Sequence, residues 1–121
     1  KEIWDLISRT DVLLFGIGTA MRMADQRHIA DDVRKQLVDN HAVGEALGQY
    51  CDIDGKLIYS TNNIGLSLPD VAKIPNVIAV AGGQDKSSAI IGVMRACQKG
   101  ILIIDEQAAE GMRQLLQISA L

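Results

Sequence analysis

Aromatic residues are scarce in this chain of 121 residues, which contains one Trp, two Tyr and one Phe. A surface that stacks nucleic-acid bases on aromatic rings is therefore not expected. Long apolar runs are also lacking, because stretches such as residues 78–81 and 101–104 are far shorter than the roughly 18 residues that a membrane-spanning helix needs. The sequence predicts a chain without membrane contact, whose core is built from aliphatic side chains and Met.

Neither sign of charge is in large excess, since the formal net charge is -3 at pH 7 and the Lys and Arg residues are scattered. A nucleic-acid-binding surface is thus not expected in this chain. Cys51 and Cys97 have neither CxxC nor His/Cys metal spacing, so buried thiols in a reducing compartment are favoured over a disulfide or a zinc site. We expect a cytoplasmic protein that uses no metal and no cofactor.

The pattern along the chain alternates strands with helices and is typical of one domain or part of one. Strands are predicted at residues 12–15, 77–81 and 102–104, where short apolar runs end before Gly16, Gly82 and Asp105. The first run is typical of a strand buried on both faces, and the last is also expected to be buried. Apolar residues at helical spacing predict amphipathic helices over residues 1–10, 25–40, 68–73 and 85–97, and a last helix capped by Asp105 in which Ala108, Met112, Leu115 and Leu116 face the core.

One insertion interrupts this alternation. Residues 46–51 and 56–60 flank Asp54-Gly55, a pair that favours a chain reversal, and they predict a β-hairpin. The most economical architecture is an α/β fold with a mainly parallel sheet, helices on both faces and the inserted hairpin. The loops that begin at Gly16 and Gly82 are then expected at the same carboxyl edge of the sheet, where open α/β sheets bind ligands.

The first candidate site is the loop Gly16-Ile17-Gly18-Thr19, which follows a predicted strand. Glycines let backbone N–H groups approach an anion closely, and the N-terminus of a following helix would favour negative charge. The dinucleotide fingerprint needs a small residue where this chain has Met21, so NAD binding is disfavoured. An anion site and a tight turn that holds nothing both remain open.

The second candidate site is Gly82-Gly83 together with Lys86 at the start of the next helix. A cation in the first turn of a helix opposes the helix dipole unless an anion lies beside it. This placement favours Lys86 as a ligand of a phosphate or carboxylate, next to N–H donors of Gly82 and Gly83. A solvated lysine is the alternative.

Glu45 is the third candidate, and its surroundings in the sequence leave two roles equally open. Its carboxylate could accept hydrogen bonds from sugar hydroxyls or face water. His28 and His41 stand beside predicted helix ends and are expected on the surface. Because no nucleophile triad or metal-ligand cluster can be assembled from these residues, no catalytic residue is predicted.

Three segments follow one another in an order and spacing that match a known family: DVLLFGIGTA, then AVGEALGQYCDIDGK, then VIAVAGGQDKSSAIIGVMRA with GILIIDEQAA. Together they resemble the sugar-binding effector domain of SorC/DeoR-type bacterial transcriptional regulators. The resemblance implies a Rossmann-like fold similar to that of glucosamine-6-phosphate deaminase and ribose-5-phosphate isomerase. In these regulators the fold binds phosphorylated sugars without converting them.

The resemblance also implies a ligand, partners and contact residues. The effector would be fructose-1,6-bisphosphate or a similar phosphosugar, and its binding would modulate operator DNA binding by an N-terminal helix-turn-helix in a homo-oligomer. The glycine loop of the family falls on Gly16, Gly18 and Thr19, its acidic sugar contact on Glu45 and its phosphate-binding lysine on Lys86. Residues 1–121 would form the C-terminal half of the effector domain, with the helix-turn-helix and the first half outside this chain.

The alternative function is a sugar-phosphate isomerase or deaminase on the same fold. Such an enzyme needs a base at the reactive carbons of the sugar. Glu45 has no partner His or Asp in a suitable glycine-rich context. The sequence therefore favours effector binding over catalysis.

Overall fold

The computed structural model describes residues 9–61 and 67–117, so most of the helix predicted at residues 1–10 lies outside the described residues. Short strands alternate with helices, and there are two 3-10 turns, Pro69–Lys73 and Gln84–Lys86. In chain order the elements are β1 (Val12–Gly16), β2 (Gly18–Thr19), α1 (Ala20–Gln26), α2 (Asp31–Asp39), β3 (Gly44–Ala46), β4 (Gln49–Cys51), β5 (Leu57–Ser60), β6 (Asn76–Ala81), α3 (Ser87–Cys97), β7 (Ile101–Ile104) and α4 (Glu106–Leu116).

Sheet A is a parallel sheet of three strands in the order β1-β6-β7. The three strands predicted from apolar runs are thereby confirmed, as is their parallel arrangement. Gly16 pairs with Val80 near the carboxyl ends of β1 and β6. The loops that begin at Gly16 and Gly82 therefore lie at one edge of sheet A, as predicted.

Helices α3 and α4 cover one face of sheet A, where Val77, Ala79 and Ala81 join the main core with Ile90 and Val93 of α3. Successive residues of a strand point to opposite faces, and the other face carries exposed aliphatic side chains, which we call the open face. The predicted burial on both faces is wrong for the described residues, and the predicted second layer of helices is not found among them. The open face consists of Val12, Leu14, Val80, Ile101 and Ile103, which are 42% to 66% exposed.

Sheet B is antiparallel, with the strand order β2-β3-β4-β5. The pairing of β4 with β5 confirms the predicted hairpin, and its turn places Gly55 at φ +88°. The single strand predicted over residues 46–51 is wrong, because Leu47 and Gly48 adopt positive φ and reverse the chain between β3 and β4. This extra turn adds β3 and β2 to the sheet, so the insertion is larger than a hairpin.

Sheet B packs between two groups of helices. On one side a Cβ added to Gly44 would lie 2.9 Å from Cα of Ala89, so the glycine allows α3 to approach β3 closely. On the other side Tyr50 packs with Leu37 of α2 and Ala24 of α1 in a second core. Glu45 follows Gly44 in β3 and therefore points away from α3.

The helix predicted over residues 25–40 is two helices. Thr19 caps α1, accepting the N–H of Arg22 at 3.4 Å, so this helix begins earlier than predicted. The chain leaves helical geometry at His28, where φ is +51°, and α2 starts at Asp31. The predicted stop at Asn40 is confirmed.

Helix α4 confirms the predicted cap, because the Asp105 carboxylate accepts the N–H of Ala108 at 2.8 Å. Ala108 is buried, whereas Leu115 and Leu116 are 51% and 38% exposed. The prediction that these two leucines face the core is wrong, since α4 contacts the Gln84–Lys86 turn and α3 and buries only Ala108 and Gly111. No helix in the described ranges is long and apolar enough to cross a bilayer.

Both cysteines are buried free thiols, as predicted. Burial raises the pKa of Cys51 to about 12 and that of Cys97 to about 11. Thiolates are the reactive form of cysteine, so both side chains act as small core residues.

Candidate functional site

An open cavity of about 380 Å³ lies at the carboxyl edge of sheet A, where sheet B meets it. This volume is in the range of small-molecule sites. Its polar side chains are Arg27, Glu45 and Lys86. The rest of the lining comes from Phe15, Gly16, Ile17, Gly18, Met23, Leu47 and Val80.

Strand pairing brings the first and third candidate sites together. Gly18 of β2 pairs with Glu45 of β3, so the glycine loop and the carboxylate meet across one ladder of sheet B. Gly16 and Gly18 both line the cavity, but Thr19 does not, because its hydroxyl serves as the cap of α1. A Cβ on Gly18 would lie 2.7 Å from Cγ of Met23. A side chain at position 18 would therefore displace the flexible side chain of Met23.

The Glu45 side chain is only 3% exposed and does not simply face water. Its Oε2 atom accepts the N–H of Gly48 at 2.8 Å and lies 3.0 Å from Nη1 of Arg27. This oxygen fixes the turn between β3 and β4 and holds the Arg27 guanidinium. The other oxygen, Oε1, would lie 3.9 Å from a Cβ added to the cavity residue Gly18.

Arg27 is a cavity residue that the sequence did not predict. It follows the last turn of α1, where an isolated cation has the pattern of a solvated surface residue. Its guanidinium reaches both Glu45 and the hydroxyl of Thr61, which is 3.4 Å away. The contact partners come from β3 and from the end of β5, so only the tertiary fold reveals the role of this residue.

Tyr50 supports Glu45 from the neighbouring strand. The two residues are direct partners in the β3–β4 ladder, and Tyr59 pairs with Tyr50 on the far side. Burial raises the pKa of Tyr50, while the nearby Arg27 charge opposes that shift. The phenol therefore stays neutral around pH 7 and forms a rigid wall behind the carboxylate.

Lys86 is half-buried at the end of the Gln84–Lys86 turn, directly before α3. Within residues 9–61 and 67–117, no carboxylate lies within ion-pair distance of its ammonium group. A cation beside the N-terminus of α3 combines two positive potentials at one cavity wall. This arrangement attracts an anion.

Gly82 and Gly83 precede that turn but do not line the cavity. The N–H of Gly83, predicted as a donor to a phosphate, is instead donated to the Asp105 carboxylate at 3.0 and 3.1 Å. Gly83 adopts φ +96°, a conformation that glycine adopts readily and other residues rarely do. These two glycines shape the loop before Lys86, and their contact with a ligand stays a prediction.

His28 and His41 lie on the surface at the ends of helices, as predicted, and neither lines the cavity. The described part of the chain contains no cluster of three or more His, Cys, Asp or Glu side chains that could hold a metal ion. The chemistry available in the cavity is therefore that of two cations, one carboxylate and an exposed glycine backbone.

Residues 1–114 match the family model described as "Putative sugar-binding domain". The chain belongs to this sugar-binding domain family. The central glycolytic genes regulator of Bacillus subtilis (strain 168) is 37% identical over 110 residues, covering 91% of this chain and 32% of the regulator. The deoxyribonucleoside regulator of the same organism is 28% identical over 117 residues, covering 93% of this chain and 37% of the regulator. The chain thus spans about a third of the length of these curated relatives.

Solved structures give the same family assignment. A "putative SorC family transcriptional regulator" from Enterococcus faecalis is 38% identical with a TM-score of 0.83, covering 92% of this chain and 45% of that one. The full-length sorbitol operon regulator SorC from Klebsiella pneumoniae is 25% identical with a TM-score of 0.74, covering 92% of this chain and 36% of that one. The resemblance to SorC/DeoR-type regulators and the α/β fold are confirmed, and the enzyme alternative is not favoured.

Proposed function

We propose that this sugar-binding domain senses a phosphorylated sugar as part of a bacterial transcriptional regulator, and that the cavity at the edge of sheet A is the effector site. The observation that carries the proposal is that Lys86, whose ammonium group has no carboxylate partner in residues 9–61 and 67–117, is half-buried in the same cavity as the buried carboxylate of Glu45. A lysine ammonium at a helix N-terminus in an open cavity favours an anionic ligand.

The two ends of the cavity suit the two parts of a phosphosugar. A phosphate oxygen binds Lys86 and the positive N-terminus of α3. Sugar hydroxyls donate hydrogen bonds to Oε1 of Glu45, the oxygen that the Gly48 N–H and Arg27 leave available. The space beside Gly16 at the end of β1 is open to a ligand, because the one atom within 4 Å of an added Cβ is the Val80 carbonyl oxygen, at 3.9 Å.

We infer that the effector is fructose-1,6-bisphosphate or a related phosphosugar. The relative that is 37% identical is named for the central glycolytic genes, and a bisphosphate offers a second anion for the Arg27 side of the cavity. The 45% coverage of the Enterococcus faecalis chain leaves room for further phosphate ligands in the first half of the effector domain.

In the proposed regulator, the effector biases operator binding through a helix-turn-helix that lies outside this chain, within a homo-oligomer in the cytoplasm. A ligand can do this only by binding two conformational states with different affinity. Effector binding without turnover suits the cavity, because Glu45 is already paired with Arg27 and no second carboxylate and no histidine of the described residues lines the cavity.

Glu45→Gln is expected to weaken fructose-1,6-bisphosphate binding about tenfold, because a neutral amide oxygen is a weaker acceptor than a carboxylate. We also expect no isomerisation or ammonia release by either form. The measurement is a calorimetric titration combined with a product assay. Glu110→Gln is the matched control, since Glu110 pairs with Arg113 on the exposed side of α4.

If Glu45→Gln is folded, as judged by thermal melting, and binds with unchanged affinity, Glu45 is not part of the site. If wild type converts a sugar phosphate and Glu45→Gln does not, the protein is an enzyme and the proposal is overturned.

A further inference from the structure

Asp105 ties the loop before Lys86 to the start of α4. Both of its carboxylate oxygens accept the N–H of Gly83, at 3.1 and 3.0 Å, and Oδ1 also accepts the N–H of Ala108 at 2.8 Å. Gly83 and Asp105 lie 22 positions apart in the sequence. One side chain therefore joins the ends of two neighbouring parallel strands, β6 and β7.

The space around this contact requires glycine. A Cβ added to Gly82 would lie 2.9 Å from Oδ2 of Asp105, too close for a carboxylate that is held by two hydrogen bonds. The loop is thus fitted to the carboxylate by shape as well as by hydrogen bonding.

A second contact fixes the other end of the same loop against α4. The Ser87 hydroxyl donates to the carbonyl of Gln84 at 2.6 Å, and a Cβ added to Gly111 would lie 2.0 Å from that hydroxyl. Residues 82–87 therefore pack with one side against α4. Lys86 lies on the other side of the loop and lines the cavity.

We propose that Asp105 is a positioning residue of the phosphosugar site, which holds residues 82–86 so that the Lys86 ammonium faces the cavity. This inference rests on the proposed function. Asp105 does not line the cavity itself, and a negative charge next to an anion site opposes ligand binding. Its role is thus geometric, since its electrostatic effect has the wrong sign for a ligand contact.

Hydrogen bonds from Ala108 and Gly83 lower the pKa of Asp105. A carboxyl with a lowered pKa keeps its negative charge at every pH above its ordinary value of about 4. The contribution to stability is present above that value and is lost as the pH falls through the lowered pKa. The hydrogen bonds from Gly83 to the Asp105 carboxylate, which we call the anchor, are therefore intact throughout the neutral pH range.

Two substitutions separate geometry from charge. Asp105→Asn removes the charge but keeps Oδ1, the oxygen that accepts from both Gly83 and Ala108. Asp105→Ser also removes the charge and keeps a good helix cap, but its shorter side chain does not reach Gly83. Because both variants lose the same charge, a difference between them measures the anchor.

The experiment is nuclear magnetic resonance on the whole 121-residue chain, which reports hydrogen exchange of the Gly83 amide and a titration with fructose-1,6-bisphosphate. In wild type and Asp105→Asn the Gly83 amide is expected to be protected, and Asp105→Asn to bind as tightly as wild type or tighter. In Asp105→Ser that exchange is expected to be about tenfold faster or more, and binding about tenfold weaker.

Gly82→Ala provides an independent test of the same contact. It is expected to weaken binding as Asp105→Ser does, and the double variant is expected to bind no more weakly than either single variant, because both act through one interaction. Additive losses would show two separate effects and would contradict the proposal.

Asp105→Ser binding with wild-type affinity would overturn the positioning role. Tighter binding in Asp105→Ser would also overturn the positioning role. It would show that the Gly83 N–H, once released from Asp105, donates a hydrogen bond to the phosphate. If the amide signals of the cavity residues in wild type do not shift with the bisphosphate, the proposed function is contradicted instead. The hydrogen exchange of the Gly83 amide then tests by itself whether Asp105 holds the loop.

Discussion

Replacing Lys86 by alanine is expected to weaken fructose-1,6-bisphosphate binding by about 1.5–3 kcal/mol, or roughly 10- to 150-fold. The ammonium group is the cavity cation that has no carboxylate partner among the described residues, so the ligand supplies its counter-charge. The loss therefore includes a charge-assisted hydrogen bond that nothing else in the cavity replaces. Calorimetric titrations of the proposed full-length regulator, with and without the substitution, give both affinities.

Lys73→Ala is the matched control for this variant. Lys73 is a lysine at the end of the other 3-10 turn, 80% exposed and paired with Asp70. Its removal is expected to leave the affinity unchanged. Equal affinities in wild type and Lys86→Ala would make Lys86 a solvated surface residue and would remove the main support for the effector site.

The isolated chain is expected to self-associate through the open face, and polar substitutions there are expected to make it monomeric. Parallel sheets are nearly always covered on both faces, and contiguous apolar patches of more than a few hundred Å² are rare on monomers. Leu14 pairs through Ile78 with Ile101, and Val80 pairs with Ile103, so the exposed side chains form one surface across three strands. In the proposed regulator we expect another part of the protein to cover this surface.

Leu14→Thr combined with Ile103→Thr tests this account, because threonine keeps the β-strand preference while adding a hydroxyl. Sedimentation or light scattering is expected to show concentration-dependent association of wild type and a monomer for the double variant. Leu57→Thr is the control, since Leu57 is a 38% exposed strand residue outside the open face. A monomeric wild type, or association that the double variant does not change, would contradict the role of the open face.

Local signals in the sequence are sufficient for most elements of this fold. Strands β1, β6 and β7 are apolar runs that end at glycine or at a capping aspartate, and each signal lies within the element that it predicts. The misplaced turns have a different cause. Leu47 and His28 adopt positive φ without the glycine or asparagine that usually announces it, so the tertiary structure imposes those turns.

Burial and the finer geometry of the site depend on contacts that are distant in the sequence. An apolar strand has the same pattern whether a helix covers one face or both, so the exposure of Ile101 could not be predicted. Gly16, Gly18 and Lys86 stand at junctions between strands and helices, where open α/β sheets bind ligands. Arg27 and Asp105 act through partners 18 and 22 positions away. The sequence marks Asp105 as a helix cap, but no local pattern indicates its contact with Gly83 or the contact of Arg27 with Glu45.

The central claim is that the cavity at the edge of sheet A binds a phosphosugar. The most direct measurement is a nuclear magnetic resonance titration of the chain with fructose-1,6-bisphosphate up to millimolar concentrations, with unphosphorylated fructose as the control. Weak binding is expected, because in the proposed regulator we expect further phosphate contacts from outside this chain, and two missing charge-assisted hydrogen bonds cost roughly 3–6 kcal/mol. The account predicts saturable shifts at the amides of Gly16, Gly18, Glu45 and Lys86 with the bisphosphate and none with fructose. Shifts confined to other parts of the chain, or equal shifts with fructose, would contradict it.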